Sequence, residues 1–182
     1  MKNLLLILLT FISLTAFSQA KLTTTSGHIK FFSSTPAEDI EANNYKVISN
    51  LTPTTGAIVF SVPMQSFEFE KALMQKHYNS SKFLDTKKFP KSKFNGTISN
   101  MADIDLSTDG SYEAKVTGEL TIHGVTKKIQ ENLQLTVSNG KVTGQTSFDI
   151  ALADYGVVFA KGKPSTNIAK TVKATVNLDF NK

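Results

Sequence analysis

The chain has 182 residues, 40% of them hydrophobic, no cysteine, and a net charge of +5 in which all 20 basic residues are lysine. Without cysteine there is no disulfide, thiol nucleophile or zinc–thiolate site. Without arginine the usual bidentate contact to a base edge is missing, which argues against nucleic acid as a partner.

The first element is Lys2 followed by a mostly apolar run from Leu4 to Phe17, then Ser18-Gln19-Ala20 with small residues at the last and third-last positions. This is the pattern of a secretory signal peptide cleaved after Ala20. A transmembrane span needs about 20 apolar residues, more than this run supplies, and no later stretch is apolar enough for a transmembrane segment. The expectation is an exported protein, periplasmic or secreted, with a signal peptide at 1–20 and one domain at 21–182, a length that suits a single domain.

From there the chain alternates with a period of two. Ile29 and Phe31 begin the first strand. Ile58, Phe60, Val62 and Met64 share one face of a second. Phe69, Leu73 and His77 fall at helical spacing with Met74 alongside, which predicts one short helix near residues 69–78, ended by Asn79-Ser80-Ser81. Phe94 and Ile98, continued by Ile104 and Leu106, read as a long or broken strand. Tyr112, Ala114, Val116, Gly118, Leu120 and Ile122 form another, then Ile129, Leu133, Leu135 and Val137, then Val142, Thr146, Phe148 and Ile150. Val172, Ala174, Val176, Leu178 and Phe180 form the last, with Lys173, Thr175, Asn177 and Asp179 opposite, the mark of a half-buried antiparallel strand.

Asp109-Gly110 and Asn139-Gly140 are favoured pairs for tight turns, because both central residues need positive φ. His123 to Thr126 is a further short connection. Glu131 interrupts an inward apolar face, where a carboxylate is costly unless paired; a bulge that turns it outward is the preferred explanation. Lys82, Lys87, Lys88, Lys91 and Lys93 cluster locally, as a lysine-protected strand edge or a head-group site. Residues 161–165 lack the spacing of a phosphate loop and read as an exposed loop. Long consecutive strands joined by short turns predict an all-β fold, an antiparallel up-and-down β-barrel of about eight strands whose interior is filled or holds one small ligand.

Three stretches carry a resemblance to a known family: residues 82–94 (KFLDTKKFPKSKF), residues 118–127 (GELTIHGVTK) and residues 148–156 (FDIALADYG). Together they resemble the YceI-like family over nearly the whole domain. Residues 38–55 match poorly, and Met74-Gln75 stands where the family has an Arg-Asp pair ahead of the histidine, here His77. The resemblance implies a lipocalin-like barrel that is exported and binds a polyisoprenoid or similar amphiphilic lipid in an apolar lumen, with no catalysis and no cofactor.

Phe31, Phe60, Phe94, Tyr112, Leu120, Ile122, Phe148 and Phe180 sit on apolar faces and are the candidates for the lumen lining, the other role open to each being core packing. His77 and His123 are candidates to meet a lipid head group; His123 has the alternative role of stabilising its turn. The chain has three histidines and none shows metal-ligand spacing, so no metal is expected. Two other readings stay open: an enzyme acting on a hydrophobic substrate with one of these histidines as base, and a filled barrel that binds other proteins. A last strand ending almost at the C-terminus also suggests pairing at a homodimer edge.

Overall fold

The computed structural model describes residues 21–157 and 169–181. The segment read as a signal peptide and the loop at 161–165 lie outside the described residues. The strands are β1 (Leu22–Ser34), β2 (Asp39–Thr52), β3 (Ala57–Pro63), the two-residue β4 (Glu68–Phe69), β5 (Lys91–Ile98), β6 (Gly110–Ile122), β7 (Val125–Ser138), β8 (Lys141–Ala151) and β9 (Thr171–Phe180), with one α-helix, α1 (Ala72–Asn79).

The period-two pattern is what builds them. In β9, Val172, Ala174, Val176, Leu178 and Phe180 are all buried while Lys173 and Asp179 are exposed, so one face meets the core and the other meets water. Each long strand pairs antiparallel with the next, and β1 pairs with both β2 and β9. The result is a closed antiparallel barrel of eight strands in up-and-down order, with β4 attached to β2 alone. β9, the strand expected to pair at a dimer edge, therefore has β8 on one side and β1 on the other. Among the described residues no helix is long and apolar enough to cross a membrane.

The strand that the pattern did not announce is β2. Its buried residues run Ile40, Ala42, Asn44 and then Val47, Ser49, Leu51, so the inward parity changes midway. The cause is a pair of offsetting irregularities in the β1–β2 register, one between Thr24 and Gly27 and one between Gly27 and Ile29. Asn44, fully buried at the second of them, donates to the Pro63 carbonyl at 2.8 Å and accepts the Lys46 N–H at 2.9 Å. An amide that satisfies the backbone where the ladder is interrupted costs little to bury.

Asn139-Gly140 makes the tight turn expected of it, and the short connection at His123 turns out to use the same geometry. Asn139 and Gly140 have φ of 51° and 74°, and His123 and Gly124 have φ of 51° and 78°, the positive-φ pairs that join β7 to β8 and β6 to β7. Asp109-Gly110 does not form such a turn. Gly110 is already the first residue of β6, and neither residue has positive φ. The reversal is made earlier, where the Asp105 carboxylate accepts the Ser107 hydroxyl at 2.5 Å, the Thr108 hydroxyl at 2.7 Å and the Ser107 N–H at 2.9 Å; these bonds, the Ser107 hydroxyl first, hold its pKa down at about 2. Ile104 and Leu106 belong to this connection, so β5 ends at Ile98.

The helix begins later than its spacing predicts. Phe69 lies in β4 opposite Ala42, and Leu73 is 63% exposed, so the apolar spacing did not mark the buried side. The side chain that α1 buries is Tyr78.

A close approach in the wall depends on two glycines. Gly96 and Gly118 face each other across β5 and β6, and the Phe94 ring lies over both. A Cβ on Gly118 would run into the Asn95 carbonyl oxygen, the Gly96 Cα and the Phe94 ring, and backbone cannot step aside as a flexible side chain can. Gly118→Ala is expected to destabilise the barrel by about 3 kcal/mol. Denaturant unfolding of the variant checks this, and a loss below about 1 kcal/mol would show that the wall gives way more easily than packed backbone should.

Candidate functional site

The barrel is solid at one end and hollow at the other. Leu51, Ile58, Leu135 and Val142 are fully buried towards the filled end. The hollow end holds a cavity of about 830 Å³, within the range of pockets that bury most of a drug-sized ligand. Its wall comes from the ends of the strands that meet there: Ile29 and Phe31 of β1, Ile40 of β2, Leu120 and Ile122 of β6, Phe148 and Ile150 of β8, Val172 and Val176 of β9. Helix α1 and the following loop form its remaining side through Met74, His77, Tyr78, Ser80, Lys82 and Phe83.

That side is fastened by aromatic packing. The Tyr78 ring lies 5.0 Å from Phe69, 5.6 Å from Phe67 and 5.9 Å from Phe31 between centroids, separations at which ring pairs attract beyond their area burial. The loop after the helix is held by hydrogen bonds. The Thr86 hydroxyl, fully buried, donates to Asn79 Oδ1 at 2.7 Å, and Asn79 Nδ2 donates to the Gln75 carbonyl at 3.0 Å. This anchors the stretch that carries Lys82.

Polar groups in the cavity are few. Tyr78 is 4% exposed, its hydroxyl 4.0 Å from Met64 Sδ, and burial pushes the phenol well above its ordinary pKa. The Ser92 hydroxyl donates to the same sulfur at 2.9 Å. Both hydroxyls thus lean on a weak acceptor. Ser33, Glu38, His77, Ser80, Lys82 and Tyr155 are the remaining polar contributors, and the Glu38 carboxylate pairs with Lys71 at 2.7 Å.

A second, smaller cavity of about 90 Å³ lies beside the first and shares part of its wall. Phe60 and Phe94, edge to face with centroids 5.9 Å apart, line it together with Ile58, Val116, Ile129, Glu131 and Leu133. It sits where two neighbouring strands part. The β7–β8 ladder covers only Gln134–Ser138 against Lys141–Gln145, although β7 starts at Val125 and β8 runs to Ala151. A turn of 3-10 helix, Leu152–Tyr155, packs against both strands at this end.

The expected lining residues therefore fall into three groups. Phe31, Leu120, Ile122 and Phe148 meet at the larger cavity, joined there by His77. Phe60 and Phe94 line the smaller one. Tyr112 and Phe180 line neither and pack in the barrel core. His123 also lines neither; its ring meets Phe89 edge-on at 4.6 Å, and Nδ1 lies 3.3 Å from the Tyr155 carbonyl oxygen. Phe67, Phe69, Tyr78 and Phe83 were missed by the sequence reading. The signal that could have found them was their density: four aromatic rings within residues 67–83 on either side of one short helix. Among the described residues no three histidine, aspartate or glutamate side chains converge as metal ligands.

Glu131 does not turn outward at a bulge. β7 keeps an unbroken register against β6 from Val125 to Val137, with Glu131 opposite Val116. The carboxyl stays on the inward side, half-buried, and its burial, with nearby Asp149 adding to it, raises its pKa.

Comparison with known proteins agrees with this architecture. The profile of the YceI-like domain matches residues 10–181. A polyisoprenoid binding domain from Saccharophagus degradans, implicated in plant cell wall breakdown, superposes with a TM-score of 0.74 at 15% identity, covering 90% of this chain and 98% of that one. Burkholderia cenocepacia BcnA superposes with a TM-score of 0.70 at 15% identity, covering 86% and 96%. At these identities the likeness is one of fold. By sequence, a UPF0312 protein of Pseudomonas putida is 36% identical over 77 residues, 42% of this chain and 36% of that protein. A UPF0312 protein of Shewanella baltica is 28% identical over 125 residues, 64% and 60%. The matched stretches thus span between about a third and three fifths of these relatives.

The raised pKa of Glu131 has a sign that can be tested. A carboxyl whose folded value lies above its unfolded one holds its proton more tightly in the folded state, so stability falls as pH rises through the window between the two values. That window opens upward from about 4.5. Glu131→Gln is therefore expected to raise the melting temperature at pH 7 and to leave it unchanged well below the window, where wild-type Glu131 is protonated in both states. Thermal melts at the two pH values decide it; an equal gain at both would assign the effect to packing.

Proposed function

The chain belongs to the YceI-like family, and on that premise we propose that it is an exported protein that binds a polyisoprenoid or similar amphiphile in the larger cavity and performs no reaction on it. The observation that carries this reading is the 830 Å³ chamber, lined mainly by carbon and opening beside α1. An apolar tail placed there gains about 0.8 kcal/mol for each methylene removed from water, and a preformed wall keeps the ordering cost low. The neighbour described as a polyisoprenoid binding domain shares the fold, which supports this ligand class.

The head group is assigned to the mouth. His77, Ser80 and Lys82 lie together on the cavity wall formed by α1 and its following loop, and they supply a cation and hydrogen-bond donors to an anionic or hydroxyl head. His123 is assigned to the β6–β7 turn, where its ring packs on Phe89. A filled barrel would have no chamber of roughly 300 Å³ or more, so the cavity speaks against that alternative. Export is supported by Lys2, the apolar run after it and the small residues at Ser18 and Ala20.

Native mass spectrometry of protein recovered from its exported compartment tests the reading. The expected result is a chain beginning at Lys21 that carries one amphiphile of defined mass. A mass that is repeatedly that of the protein alone, after gentle extraction, counts against lipid binding; a chain that retains residues 1–20 counts against export.

A further inference from the structure

The two cavities are neighbours rather than separate sites. Six residues, Ile29, Val62, Ser92, Leu120, Phe148 and Val176, belong to the walls of both. They form the partition between a large chamber at the mouth and a small one deeper in the barrel. Beyond the small chamber the interior is closed by Leu51, Leu135, Val142 and Phe180, all buried and none lining either space. A tail that enters at the mouth therefore meets a definite end.

We propose that this two-chambered space measures tail length, with Leu120 and Phe148 as the partition and the small chamber as the seat of the tail terminus. The inference rests on the lipid-binding reading above and adds to it the size of the ligand. A methylene is about the size of a water molecule, whose share of liquid volume is roughly 30 Å³, so 830 Å³ offers room for on the order of 28 such groups and 90 Å³ for about three. The terminus of an isoprenoid is a branched group of about that smaller size. A tail of about six isoprene units fills both chambers. Shorter tails leave apolar surface uncovered, and each missing methylene forgoes burial. Longer tails push the head away from His77, Ser80 and Lys82 at the mouth.

Phe148 and Ile129 set opposite arms of a test. Truncating Phe148 removes a ring from the partition and merges the chambers. Ile129, half-buried and lining only the small chamber, can be enlarged to fill it. The experiment strips the protein of lipid and titrates it with a ladder of all-trans polyprenols of increasing length, reading bound mass and affinity. For wild type the affinity rises with length to a maximum near six units and then declines by severalfold. Phe148→Ala moves the maximum up by about one unit and Ile129→Phe moves it down by about one.

A wild-type affinity that keeps rising with length, or a maximum that stays in place in both folded variants, overturns the ruler while leaving lipid binding intact. Failure of wild type to bind any polyprenol overturns the underlying reading instead. Thermal melts report whether each variant is folded; should Phe148→Ala not fold, Ile129→Phe alone decides, because an unmoved maximum in it is sufficient to reject the proposal.

Discussion

Closure of the sheet is the constraint on which the rest depends. Because β1 pairs with both β2 and β9, every long strand has a neighbour on each side, and the inward set of side chains surrounds one interior. Eight strands make an interior just wide enough to be filled by side chains or to hold one small ligand. This interior is packed at one end and hollow at the other. Towards one end Leu51, Leu135, Val142 and Phe180 are buried and line no cavity. Towards the other the inward residues stand back around a space.

What keeps that space from collapsing is the structure built over it. α1 and the loop behind it contribute no ladder to the barrel. They are attached by ring packing around Tyr78 and by the Asn79–Thr86 hydrogen bond under the loop. The same rings that hold the helix down also present carbon to the chamber, so the packing that fastens the helix and the apolar wall of the cavity are one set of contacts. Between β7 and β8 the ladder is short, and the gap is covered by the 3-10 turn at Leu152–Tyr155, near His123. His123 is thus part of how the wall is completed.

Departures from the simple alternating plan occur where the barrel has work beyond closing. The offsetting irregularities of β1 and β2 lie opposite a buried, fully bonded Asn44. The Gly96–Gly118 pair sits under the Phe94 ring beside the small chamber. Glu131, half-buried with its pKa raised, borders the same chamber. An interior carboxyl lowers stability at neutral pH relative to an amide of the same shape, which makes this a position where packing alone does not explain the residue.

By itself the sequence determined the class and order of the fold. Alternation in β6 to β9, with Asn139-Gly140 as a tight turn, leaves little besides consecutive antiparallel strands, because a period of two sorts side chains to two faces of a sheet. β2 escaped, since Ala42, Asn44 and Ser49 carry little hydrophobic signal and the parity of its inward residues changes midway. The site was only half legible for a related reason. Alternation says that Phe148 and Phe180 both point inward, yet not how far along the barrel axis each lies. Depth is decided by register, tilt and whatever covers the opening. That placed Phe148 at the chamber and Phe180 in the packed core. It also brought Phe67, Phe69, Tyr78 and Phe83, residues outside the long strands, to the mouth. Local pattern specifies which way a side chain faces; only the closed tertiary structure specifies what it faces.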